Sequence, residues 1–288
     1  MIAKTLLLIA TLAAAPVLGD WTGGLRVRFG VGFSGYFMSQ PRSISEAKTS
    51  RWQQVARPEG PLESLVMYCP ADYIFCVLFD DTEYIAGIQI AIPEDKYTDS
   101  VLDWDIQGFT RWTPAGSNST FRTLQQYFVD EAILSRSLDE RLASYDRSKT
   151  IQHGKVWLTG INKELLEITT SETDIADSIF TKQACIPLMG HHYYYNMTSS
   201  AECTSEAMYP WFPLVASGEL IGMGFVTVGK LPEDSLQTDY FERPNRAAVR
   251  LIVPRGPDCL YDLSQSPGMV TMHIYYIHNP LLLTCILQ

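Results

Sequence analysis

The chain has 288 residues, a formal net charge of −10 and a hydrophobic fraction of 46%. That length allows one large β-rich domain or two smaller ones, and that apolar content is enough for a packed core. The acidic excess argues against nucleic acid or an anionic membrane surface as partner, because both reward clustered Lys and Arg.

The first residues read as an export signal. Lys4 gives a basic start, Leu6 to Ala15 is an apolar run too short to span a bilayer, and Val17 and Gly19 suit a signal-peptidase site. Cleavage after Gly19 is expected. Residues 1–19 are then a signal peptide and 20–288 a single secreted, extracellular β-rich domain, with a polar connector near 150 as the place of any subdivision. No later run reaches the ~20 apolar residues of a membrane helix, so no membrane span is expected.

Export changes how the six cysteines read. An even number in an oxidising compartment implies disulfides. Pairing of near neighbours gives Cys69–Cys76, Cys185–Cys203 and Cys259–Cys285. None stands in a CxxC pair, which argues against a zinc ribbon or a redox motif. Asn118-Ser-Thr120 and Asn196-Met-Thr198 are glycosylation acceptors and are expected at the surface. Cys285-Ile-Leu-Gln288 matches a prenylation box, but prenyl transfer is cytosolic and the match is set aside.

Leu25 to Phe29 alternates as a half-buried strand. Gly30-Val-Gly-Phe-Ser-Gly35 is a literal G-x-G-x-x-G, yet Pro41 stands where a dinucleotide fold needs a helix, so it reads as a turn. Residues 40–62 are polar, carry Pro41, Pro58 and Pro61, and read mostly as loop. Leu65 to Cys69, Tyr73 to Phe79 and Tyr84 to Ile92 form an antiparallel meander. The carboxylate pairs Asp80-Asp81 and Asp103-Trp-Asp105 have the chemistry for glycoside hydrolysis or calcium, but read better as solvated turns.

Between Thr120 and Arg147, Leu124, Phe128, Leu138, Leu142 and Tyr145 fall at helical spacing, broken near Ser135. The spacing predicts a helical insertion near 120–147. Strands return at Val156 to Leu158 and Leu165 to Thr170. Ala216-Ser-Gly-Glu219 is a hairpin turn between Trp211 to Val215 and Leu220 to Val228. Gly222 and Gly224 share one face of the second strand, a sign that another group approaches closely. Ala248 to Pro254 and Val270 to Ile277 read as further strands. The fold class is mainly β, an antiparallel sandwich-like domain stabilised by disulfides.

The most distinctive stretch is Cys185-Ile-Pro-Leu-Met-Gly-His-His-Tyr-Tyr-Tyr-Asn196. Together with Phe212-Pro213, the run from Gly218 to Phe225 and Thr271-Met-His-Ile-Tyr275, it resembles a family of secreted invertebrate proteins over roughly the last third of the chain. The resemblance implies secretion and a β-rich fold, and carries no catalytic residues with it. Read on their own, His191 and His192 point to opposite faces of a strand, so only one can join a distant partner. His192 and His273 are the candidate metal ligands, with His191 as a third, and copper or zinc suits such donors. Two imidazoles share an ion only within about 8 Å, given metal–nitrogen bonds of about 2 Å.

Two functions follow as expectations. The first is a non-enzymatic binding or structural glycoprotein without a cofactor. Its partner is an extracellular protein or glycan, and Tyr193, Tyr195 and Trp211 are ligand-contact candidates beside Phe212. The alternative is a secreted copper- or zinc-dependent enzyme. No serine or thiol nucleophile can be assigned: the chain lacks G-x-S-x-G, and the cysteines are expected in disulfides.

Overall fold

The computed structural model describes residues 22–29, 36–233, 236 and 238–285. The expected signal peptide with its cleavage site, the Gly30 to Gly35 motif and the last three residues lie outside them. The strands in chain order are β1 (Arg26–Phe29), β2 (Tyr36–Ser39), β3 (Gln53–Val55), β4 (Val66–Cys69), β5 (Phe75–Phe79), β6 (Ile85–Pro93), β7 (Thr110–Trp112) and β8 (Phe121–Tyr127). There follow β9 (Lys155–Thr159), β10 (Leu165–Thr169), β11 (Phe180–Ile186), β12 (Gly190–Tyr195), β13 (Trp211–Ala216), β14 (Glu219–Val228) and β15 (Met269–Tyr275). Six short helices intervene: α1 (Ile44–Thr49), α2 (Glu131–Leu134), α3 (Leu138–Ser144), α4 (Glu172–Ala176), α5 (Arg246–Ile252) and α6 (Asp258–Leu263).

The strands form two antiparallel sheets. One has seven strands in the order β11-β12-β13-β14-β15-β1-β2; the other has eight, β10-β9-β8-β6-β5-β4-β3 with β7 beside β8. The chain is therefore mainly β, as its alternating apolar pattern implies. The sheets face each other across an aromatic core: Phe128 meets Tyr276 with ring centroids 5.4 Å apart, and Trp211 donates its indole N–H to the Thr159 carbonyl at 2.8 Å. Successive residues of β13 to β15 point to opposite faces. Trp211, Met223, Phe225, Met272 and Ile274 enter this shared core. Phe212, Leu214, Ile221, Val226 and Tyr275 enter a second core on the outer face, with Val249 of α5 and Leu260 of α6.

Three elements differ from the sequence reading. Residues 40–62, read mostly as loop, hold α1, which the Ser43 side chain caps, and β3, which pairs with β4. Phe121–Tyr127 is a central strand, paired with β6 and β9, so the helical insertion starts only at Glu131. Leu124 and Phe128 fall at a helical interval, but no residue near 120 caps a helix; Asp130 caps α2 and Ser137 caps α3. Ala248 to Pro254 is mostly helical, because the Asn245 side chain accepts from the Ala248 N–H and starts α5.

The cysteines pair as Cys69–Cys76, Cys185–Cys285 and Cys203–Cys259. The first closes neighbouring segments, as near-neighbour pairing anticipates. Cys185–Cys203 and Cys259–Cys285 are replaced. Cys185 sits on an edge strand that the C-terminal segment crosses, with the Leu188 N–H donating to the Leu283 carbonyl at 3.0 Å. Cys203 lies beside the start of α6, where Cys259 is placed. Among the described residues, no helix is long and apolar enough to cross a membrane.

Candidate functional site

His192 and His273 meet on the outer face of the seven-stranded sheet. They do so without their strands pairing. His192 is on β12 and His273 on β15, with β13 and β14 between them, a separation of about 14 Å at strand spacings of about 4.8 Å. Their ring centroids are nonetheless 5.7 Å apart and nearly perpendicular. Both imidazoles reach the Phe212 ring, which lies over Gly224. That residue stands in register between Phe212 and His273. A Cβ there would lie 1.9 Å from the Phe212 ring, so only glycine lets that ring lie across β14. Phe212 then packs against both imidazoles, 5.7 Å from His192 and 5.5 Å from His273, and stacks on Tyr194 at 4.6 Å.

A loop residue completes the cluster. Glu242 exchanges backbone hydrogen bonds with Thr271 of β15, at 2.7 and 2.9 Å. This places its carboxylate 3.3 Å from His273 Nδ1 and 3.4 Å from Arg28 Nε of β1. The His273 contact lies within ion-pair range but is not aligned as a hydrogen bond. All four ring nitrogens of the two histidines, and the Tyr275 hydroxyl, are buried without a well-aligned hydrogen bond, with the Ala184 and Gly190 backbone the polar groups nearest His192. Such groups carry a desolvation penalty of about 1–3 kcal/mol each.

Burial sets the charge states. It pushes the His192 imidazole down to about 3, with repulsion from His273 adding to it, so the ring is neutral near pH 7. Burial would raise the Glu242 carboxyl, but His273 and Arg28 outweigh it and hold the group below the usual carboxylate range. Burial raises the Tyr194 and Tyr275 phenols, which therefore stay protonated. The cluster thus combines a neutral imidazole, a second imidazole beside a carboxylate, and two neutral phenols.

The other sequence candidates go elsewhere. His191 points to the opposite face, beside Glu172 and Lys182, and burial lowers its basicity; it does not join the pair. Tyr193 and Trp211 are fully buried, so neither offers a face to a ligand; Tyr193 instead donates to Glu172 at 2.7 Å. Tyr195 is half-buried and stacks on Tyr209, with centroids 5.1 Å apart. Asn118 and Asn196 are both exposed. Asp80 is not solvated: it is buried and pairs with Arg141, at 2.5 Å, and Arg141 also binds Asp81. Asp103 accepts from the Asp105 and Ile106 N–H groups in a turn. Glu242 and Arg28 are the members that sequence reasoning missed.

Among the described residues, no group of three or more His, Cys, Asp or Glu side chains is set to hold a metal ion. No family model, curated protein or solved structure matches the chain. What the fold and site define is a class: a disulfide-linked antiparallel β protein with an enclosed pair of imidazoles.

Proposed function

We propose that the chain is a secreted, disulfide-bonded glycoprotein that acts by binding an extracellular protein or glycan, without catalysis at its histidines. The observation that carries this reading is the closure of the cluster. His192 and His273 are 0% and 3% exposed, and none of their nitrogens reaches solvent. General acid–base work needs a group within hydrogen-bond reach of the substrate, and no substrate atom reaches these nitrogens in this conformation. The exposed acceptors Asn118 and Asn196 and the three disulfides support the extracellular setting.

Expression of the full chain in insect cells tests this. The expected product is in the medium, begins at Asp20, and loses mass on treatment with peptide N-glycosidase through Asn118 and Asn196. Retention in the cytosol with reduced cysteines contradicts it.

One observation favours a second reading, a buried cation centre. The two buried imidazoles lie close together with no well-aligned hydrogen bond, and the carboxylate beside His273 Nδ1 suits a second shell that orients an imidazole toward a metal. Copper or zinc would be held by His192 and His273. Near-stoichiometric metal by elemental mass spectrometry, lost in folded His192→Ala/His273→Ala protein, supports it. Metal-free protein after reconstitution refutes it.

A further inference from the structure

The turn after β5 and the start of α1 face the end of α3 across an open cleft of about 550 Å³, within the size range of ligand sites. The two walls are fixed by the fold. On one side the Ile44 N–H donates to the Glu83 carbonyl at 3.0 Å, and Ser43 bridges to Tyr84. On the other, Arg141 of α3 pairs with Asp80 and Asp81 of the turn. Those two carboxylates are thereby engaged.

Tyr84 and Tyr145 stack at the base of the cleft with ring centroids 4.1 Å apart, and the Arg147 guanidinium lies 5.3 Å over the Tyr84 ring. Burial raises the Tyr145 phenol, which stays protonated, while the charges of Arg42 and Arg147 pull the other way. Both guanidinium groups therefore lie near its hydroxyl.

Neither guanidinium has an acidic partner among the described residues. Their one hydrogen bond there is long, from Arg42 Nη1 to the Arg147 carbonyl at 3.4 Å. Arg28, Arg122, Arg141 and Arg243, in contrast, each hold a carboxylate. The chain carries 32 acidic residues against 22 basic ones, so a shortage of carboxylates does not explain the difference. Two like charges converging on one cleft repel each other, and a bound anion relieves that repulsion. The Ser45 and Tyr145 hydroxyls also line the cleft and make no hydrogen bond to the described residues. Glu46 accepts from the Arg42 N–H at 2.7 Å, and Glu83 is exposed. With these two carboxylates beside it, the cleft repels a polyanion and suits a single negative group.

We propose that this cleft binds an acidic monosaccharide unit, with its carboxylate or sulfate ester held by Arg42 and Arg147 and its ring hydroxyls by Tyr145 and Ser45. A guanidinium matches either oxyanion with paired N–H donors. Tyrosine and serine hydroxyls donate and accept, as sugar hydroxyls do. All of these groups are open to water, so a ligand reaches them without a change of fold.

The inference rests on the reading of the chain as a glycan-binding protein and is tested apart from it. Secreted protein, with its own N-glycans removed, is titrated by calorimetry with glucuronate, N-acetylglucosamine 6-sulfate, glucose and inorganic sulfate, at low and at high salt. At least one acidic sugar is expected to bind, more weakly at high salt. Arg42→Gln and Arg147→Gln are each expected to weaken it by about ten-fold with an unchanged melting curve. Tyr145→Phe keeps the ring stack and is expected to weaken binding less. Which acidic sugar binds separates a carboxylate from a sulfate ester as the natural group. No binding by either acidic sugar, equal binding of glucose, binding indifferent to both arginine changes, or free sulfate bound as tightly as the sugars overturns the assignment. Secretion and glycosylation are read separately, so a secreted glycoprotein that binds no acidic sugar sinks the cleft alone.

Discussion

On the outer face of the seven-stranded sheet, polar atoms are sealed among rings: His192 packs beside the stacked pair Phe212 and Tyr194, and its nitrogens are closed off from water. On the outer face of the eight-stranded sheet, polar atoms are joined in a chain from Arg57 through Gln125 to Gln89, beside a cleft open to water. Both faces bury polar groups against the general preference for apolar cores. The first is closed by α5, α6 and a loop bearing Glu242; the second is bordered by a loop carrying Arg57 and by the lip at Lys163. The first depends on its seal, whereas the second satisfies its own polar groups. Changes in the first region should therefore cost the most stability, and changes in the second the least.

The largest expected effect is that of Phe212→Ala. The ring is fully buried and touches both imidazoles, and its loss should cost about 3–5 kcal/mol in denaturant unfolding. Removal of the Cys203–Cys259 link by serine at both positions should cost about 2–4 kcal/mol. Gly224→Ala should cost about 1–3 kcal/mol or more, because its methyl group meets the Phe212 ring; a neutral result would mean that the ring does not cross β14. Smallest is Thr159→Val, expected to cost about 0.5–1.5 kcal/mol, because it keeps the shape and removes only the contact of its hydroxyl with Tyr127. A large loss there would make the cleft floor part of the fold and erase the contrast between the two faces.

Much of this was legible in the chain. Alternation located β1, β6 and β15, and the turn at Ala216 to Glu219 located β13 and β14. Gly222 and Gly224 signalled a close approach, and Gly224 admits the Phe212 ring that both imidazoles touch. What stayed hidden depends on strand order. Glu242 lies in an irregular segment between Phe241 and Arg243 with no period to read, and reaches the site only through its bridge to Thr271. Arg28 looked like the solvent face of an alternating strand, because covering of the outer face cannot be seen locally. Cys185 and Cys285 are 100 residues apart, and nearness along the chain carries no information once a sheet edge brings its ends together. Leu124 and Phe128 stand at a helical interval, which concealed β8 and the polar residues on its outer face.

The closure of the histidine cluster is tested most directly by NMR of its imidazoles across pH. His192 has its basicity lowered to about 3 in the folded protein, below the ordinary value of about 6.5. The unfolded chain therefore binds the extra proton between those values, so this group's stabilising effect is complete above about pH 6.5 and is lost as pH falls toward 3. The account predicts that the His192 ring signals stay unchanged from pH 8 to 5, that stability drops on acidification, and that His192→Phe flattens the drop. A His192 ring that titrates near pH 6.5 in folded protein would show water reaching the pair, and the division between a sealed face and an open one would fail.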